Sequence, residues 1–257
     1  MFPYRDDNPN IMTPFVVYGL IAVTALAWLV LQGAGTQPAL VRSVCRLGLI
    51  PGEVLGRIPA ETVVPLGPGV GCRVGGDGSW LTVLTSMFMH GSWFHIIGNM
   101  WFLWVFGDNV EDSMGHVRFL FFYLVCGLLA AVAQVAIQPS SPVPMVGASG
   151  AISGVMGGYL VLYPRVRVHM LVFFGFIFTV AVPAYVVLLY WAFLQLVGGL
   201  PMLSGASEGG GVAFMAHLGG FVAGVALIKL FARPELVAAH RRATRPVVPG
   251  YHDRLRW

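Results

Sequence analysis

The chain has 257 residues, 57% of them hydrophobic and only 10% charged, and its mean hydropathy is +0.77. Soluble domains carry about 25% charged residues, so this chain lacks the polar side chains to cover a water-facing surface, and a bilayer is its expected solvent. The net charge of +4 gathers near the end of the sequence, in Arg233, Arg241, Arg242, Arg245, Arg254 and Arg256. No basic stretch is interleaved with aromatics, so these arginines read as a membrane-proximal anchor and not as a nucleic-acid surface.

Charge-free windows place the membrane spans. No charged residue stands between Asp7 and Arg42, Asp77 and Asp108, Arg118 and Arg165, Arg167 and Glu208, or Glu208 and Lys229. A charge at mid-bilayer costs at least ~2.5–3.5 kcal/mol, which keeps spans inside such windows. The first predicted span, 14–31, follows Asp6 and Asp7 and lacks a small-residue cleavage site, so it reads as a span and not a cleaved leader. Next comes a long first loop, about 33–79, in which segments such as "VCRLGLIPGEVLGRI" look interfacial. Cys45 and Cys72 share this loop and have no metal-ligand spacing; a disulfide between them is open, depending on whether the loop faces an oxidising side.

The second span, 93–106, and the fourth, 148–163, are short for a ~30 Å hydrocarbon core. The third, 117–137, ends at the break "QPSSPVP". Residues 170–207 contain no Asp, Glu, Lys, Arg or His, too long a stretch for one helix and cut by Pro183. An irregular membrane-surface segment is expected there, followed by a fifth span at 183–197. The sixth is 212–231. The expected organisation is a segment 1–13, a six-helix membrane domain 14–232 and a basic tail 233–257. Six spans put both ends on one side, and the positive-inside rule makes that side cytoplasmic, together with Arg165 and Arg167.

In this topology four polar residues fall at one depth, toward the outer face. Ser149 opens the fourth span and His217 lies in the first turns of the sixth. His95 and Asn99 are four apart on one face of the second, about 6 Å along the helix. Polar groups in lipid must face the bundle or a water cavity. Alone, the serine would be helix-packing glue and each His or Asn an interhelical hydrogen bond; together they suggest a site. Gly150, Gly154 and Gly158 recur every four residues on the fourth span, and Ala216, Gly220 and Gly224 on the sixth, a spacing that lets two backbones touch. Ser149 and His217 each adjoin the first small residue of this seam, so close packing would bring hydroxyl and imidazole together. A serine hydroxyl is a weak nucleophile that needs a base within ~2.6–3.2 Å. No carboxylate lies in the surrounding windows, so a Ser149–His217 dyad is expected, not a triad. His95, Asn99 and the Ser149 backbone N–H at a helix N-terminus are the candidate donors for an oxyanion.

"HGSWFHIIGN" (90–99), "GASG" (147–150) and "AHLGGFVAG" (216–224) resemble the three signatures of the rhomboid intramembrane serine proteases, over roughly residues 80–230. The resemblance implies an all-α polytopic fold, a six-transmembrane-helix bundle of the bacterial inner-membrane form with a membrane-associated first loop. It implies catalysis by Ser149 and His217 and an oxyanion hole at His95 and Asn99. Its substrates would be transmembrane proteins within the lipid bilayer, with no cofactor or metal. It also implies a substrate gate in the fifth helix, at Tyr185, Tyr190 and Trp191. Two positions depart from the pattern. Leu81, not arginine, follows Trp80, and Ser153 stands four after the serine where many members carry an aromatic residue that stacks on the histidine. His217 must therefore be oriented by something else. The alternatives are a rhomboid-like pseudoprotease, which would usually lack the serine or the histidine, and a small transporter, which would show related repeats in its two halves.

Overall fold

The computed structural model describes residues 2–67, 69–76, 78–203 and 212–243. In chain order the elements are β1 (Phe2–Asp6), α1 (Phe15–Val30), α2 (Ala39–Leu47), α3 (Pro51–Val54), β2 (Thr62–Gly67), β3 (Val70–Val74), α4 (Thr82–Thr85) and α5 (Trp93–Met114). They continue with α6 (His116–Ile137), α7 (Ser149–Leu162), β4 (Arg167–Phe174), β5 (Phe176–Pro183), α8 (Ala184–Leu203), α9 (Phe214–Phe231) and α10 (Pro234–Ala243). Helices α1 and α5–α9 fall where spans are expected. Of these, α6, α8 and α9 are long and apolar enough to cross a membrane, while α1 and α7 are apolar but shorter. Outward side chains are large and apolar, among them Leu26, Leu29, Phe121, Leu189 and Leu230.

The domain is not all-α. The segment expected to be irregular forms the hairpin β4–β5, paired from Arg167↔Pro183 to Phe174↔Phe176 around Gly175, whose φ is +70°. Its composition, "VHMLVFFGFIFTVAV", is β-branched and aromatic about a glycine, which suits a pleated surface better than a helix. Strand β1 adds to it, giving the order β1-β4-β5. A second hairpin, β2–β3, lies in the first loop, where Cys45 and Cys72 are disulfide-bonded beside buried Ile50, Val64 and Val74. Leu49 and Met145 exchange backbone hydrogen bonds, which docks this loop on the α6–α7 connection.

Helix α5 runs on to Met114, past the expected end of its span, because its carboxylates have partners. Glu111 accepts from the N–H groups of Val16 and Val17 at 3.0 and 2.9 Å, and Asp112 accepts from Ile11 and Met12 at 2.7 and 3.0 Å. The first turn of α1 has no capping side chain of its own. Glu111 satisfies its free donors and places negative charge at its positive end. Nearby, the Tyr159 hydroxyl donates to the Asp6 carboxylate, whose burial pushes it up to about 6.

Helix α7 is the centre of the bundle, buried from Gly150 to Tyr159 and packed on α9, α6 and α5. The glycine seam explains how it fits. A Cβ on Gly220 or Gly224 of α9 would collide with the carbonyl oxygens of Gly150 and Gly154. Gly150 and Gly154 offer those carbonyls to α9, while the space of their own missing Cβ atoms is taken by Ala130 and Cys126 of α6. Gly158 adjoins Ile228 of α9. The row on α7 therefore receives two helices, not one. Helix α10 covers the far end of α5, where the Arg233 N–H donates to Ser113 O at 2.9 Å. The remainder of the expected basic tail, 244–257, lies outside the described residues.

Candidate active site

The geometry begins at Gly147, whose φ of +127° favours glycine. It turns the chain into α7 so that Ser149 is the first helical residue, and the Gly147 N–H donates to Ser86 O at 2.9 Å. His217 lies in the first turn of α9. The seam brings the two together: Ser149 Oγ lies 2.7 Å from His217 Nε2. On the other side of the ring, His217 Nδ1 lies 2.7 Å from Gln195 Oε1 of α8. The Trp191 ring, one turn earlier on α8, lies 5.9 Å from the imidazole at an interplanar angle of 36°. Ser153 donates back to Ser149 O at 2.6 Å, which satisfies its hydroxyl within α7.

His95 and Asn99 of α5 face the same space. A Cβ at Gly147 would lie 2.7 Å from His95 Nε2 and 3.5 Å from Ser149 Oγ, so the missing side chain lets the imidazole stand beside the serine. His95 Nδ1 accepts from the Gly91 N–H at 3.4 Å. Asn99 is buried, and its Nδ2 has no partner among the described residues. Gln134 of α6 accepts from the Ala216 N–H at 3.2 Å, tying the start of α9 to α6. His90, behind His95 with ring centroids 5.0 Å apart, is fixed through its backbone by Gln32 at 2.7 and 2.8 Å. Burial, with His95 nearby, holds the His90 ring down to about 3, so it stays neutral at ordinary pH.

One open cavity of about 620 Å³ lies here, walled by α5, α6, α7, α8 and the start of α9. Ser149, His217, His95 and Asn99 all border it. Of the three aromatics expected at a gate, Trp191 borders the cavity, whereas Tyr185 and Tyr190 are exposed elsewhere on α8. Gln195 went unnoticed in the sequence. Its signal is that it is the only side-chain amide in the uncharged stretch 170–207, and a polar group in an apolar helix needs a partner in the bundle.

Fold and cavity define a polytopic integral membrane protein with a polar cleft built between its helices. The chain belongs to the rhomboid family: the Rhomboid domain model matches residues 77–234. It is 35% identical over 105 residues to "Rhomboid protease GluP" of Bacillus subtilis (strain 168), covering 41% of this chain and 20% of that protein. It is 32% identical over 84 residues to "Putative rhomboid protease YdcA" of the same organism, covering 33% and 42%. It is 30% identical over 155 residues to "Rhomboid protein 1, mitochondrial" of Saccharomyces cerevisiae, covering 57% of this chain and 40% of that protein. The matches thus span less than half of each relative's own length.

Proposed function

We propose that the protein is an intramembrane serine endopeptidase that cleaves membrane-protein substrates in or near their transmembrane segments. The observation that carries this reading is the 2.7 Å contact between Ser149 Oγ and His217 Nε2 inside a polar cleft of a rhomboid bundle. His217 Nε2 takes the hydroxyl proton as Ser149 Oγ attacks the substrate carbonyl, and then gives it to the departing amine. A water repeats the sequence on the acyl-enzyme and releases the new carboxylate. The oxyanion forms beside the Ser149 N–H, His95 and the Asn99 Nδ2, which has no partner among the described residues; these donors are set in place before charge develops.

The arrangement in the membrane follows from charge. With α1 and α5–α9 taken as six spans, the positive-inside rule supports a cytoplasmic side for Arg165, Arg167 and the basic tail, in a bacterial inner membrane. Ser149 and the start of α9 then lie toward the outer face, where hydrolytic water reaches them. The test is labelling of the detergent-purified protein with a fluorophosphonate. Wild type labels, and Ser149→Ala and His217→Ala do not. A folded wild-type protein that resists two serine-reactive chemistries would overturn the reading in favour of a pseudoprotease.

A further inference from the structure

We propose that α8 holds the groups that orient the His217 imidazole: Gln195 fixes the tautomer and Trp191 the ring plane. The inference rests on Ser149 and His217 being the reactive pair. For His217 to accept the serine proton, Nε2 must be bare, so the ring's proton must sit on Nδ1. Something must hold it there. The hydrogen-bond partner of Nδ1 is Gln195 Oε1, an acceptor at 2.7 Å. An amide oxygen accepts a hydrogen bond only from a protonated Nδ1, so this contact selects the tautomer that leaves Nε2 free for Ser149. Trp191, four residues earlier and therefore on the same face of α8, packs against the ring. Position 153 offers no aromatic for that purpose, and its hydroxyl is spent on Ser149 O.

Close approach makes this possible. Cβ atoms on Gly198 and Gly199 would strike the Phe214 ring and the Met215 methyl, so two bare glycines let α8 lie against the first turn of α9, where His217 stands. Yet α8 is the least buried of the three long apolar helices. The base is therefore aligned by an element held at the edge of the bundle, and the histidine is competent only while α8 is docked. Gln195 is a positioning residue: it touches His217 and not the reacting serine.

The test pairs a spectroscopic readout with a kinetic one. Protein carrying 15N-labelled histidine, with His217 assigned by comparison with His217→Ala, reports which ring nitrogen holds the proton. The wild type shows the Nδ1–H tautomer. Gln195→Met, of similar length but without the acceptor, shows the Nε2–H form or a mixture, at an unfolding midpoint close to the wild type. Fluorophosphonate labelling slows by about 10- to 100-fold, toward the ~10²–10⁴ that a general base contributes. Gln195→Glu, which restores an acceptor oxygen, recovers most of that loss. A wild type in the Nε2–H tautomer overturns the proposal whether or not any variant folds, as does Gln195→Met with unchanged tautomer and unchanged labelling. Wild type that fails to label removes the protease reading instead, and the tautomer measurement still decides the role of Gln195.

Discussion

Replacing Gly220 by alanine adds one methyl group where α9 lies directly on the backbone of α7. The new Cβ would lie 2.9 Å from the carbonyl carbon of Gly150, closer still to its oxygen, and 3.3 Å from the Ala130 Cβ. Carbon atoms pack at ~3.5–4.0 Å, and the obstructing atoms are backbone, so relief requires α7 and α9 to move apart by roughly an ångström. Overpacking of this kind costs ~1–3 kcal/mol, against which helix propensity returns up to ~1 kcal/mol. Gly150 adjoins Ser149, and Gly220 follows His217 by less than one turn. The same ångström therefore stretches the 2.7 Å Ser149–His217 contact beyond hydrogen-bonding range. Displacements of about 1 Å in a catalytic site can cost ~10²-fold. The expected result is a lower unfolding midpoint in detergent together with fluorophosphonate labelling slowed by about that factor. Gly19→Ala serves as the control, since no atom lies within 4 Å of the added methyl. Gly220→Ala that labels within twofold of wild type and unfolds at the same temperature would refute the packing argument.

His95→Ala and Asn99→Ala are expected to lower turnover with little change in KM, by up to the ~10²–10³ that one oxyanion donor contributes; unchanged turnover in both removes them from that role. Glu111→Gln removes the charge from two hydrogen bonds to α1, one buried and one partly buried. Bonds to charged groups are worth ~1.5–3 kcal/mol against ~0.5–1.5 for neutral ones, so denaturant unfolding should show a loss of ~1–3 kcal/mol, and an equally stable variant would contradict the capping role. Asp6 is held near 6 in the folded protein, above its ordinary value of 3.8, so the folded chain binds this proton more tightly than the unfolded chain. Its contribution is favourable below about pH 4 and is lost as pH rises to about 6. Asp6→Asn should therefore gain stability over wild type between pH 4 and pH 7, by roughly 1–3 kcal/mol at one pK unit per ~1.4 kcal/mol; a pH-independent difference in unfolding midpoint would refute the assignment.

The apolar helices and the meeting of α7 with α9 were legible because each rests on a penalty readable one segment at a time. A charge in lipid is costly wherever it stands, and a row of small residues implies a close neighbour. Ser149 and His217 came together for that reason alone. What the sequence hid depends on partners far along the chain. Asp108, Glu111 and Asp112 end the charge-free window but not the helix, because the donors that satisfy Glu111 and Asp112 lie about 100 residues upstream. Gln195 looks like an isolated amide until α8 and α9 are packed. Cys45 and Cys72 share a loop, but only the fold brings them into a bond. The hairpin β4–β5 was obscured by its own hydrophobicity, since a short apolar run reads equally as helix or strand.

The junction of Phe2–Asp6 with β4 also sets the order of folding. Phe2 pairs with Leu171, Asp6 meets Tyr159, and the start of α1 is capped from α5. At synthesis rates of ~5–20 residues per second, the partners of β1 leave the ribosome roughly 10–30 s after β1 itself. Through that interval β1 waits as an unpaired edge, and the first amides of α1 wait for Glu111 over its earlier part. Contacts of such long sequence separation form late. Residues 2–6, made well before their partners, are thus among the last to be fixed, and they lock one end of α1, α5 and α7 once β4 arrives.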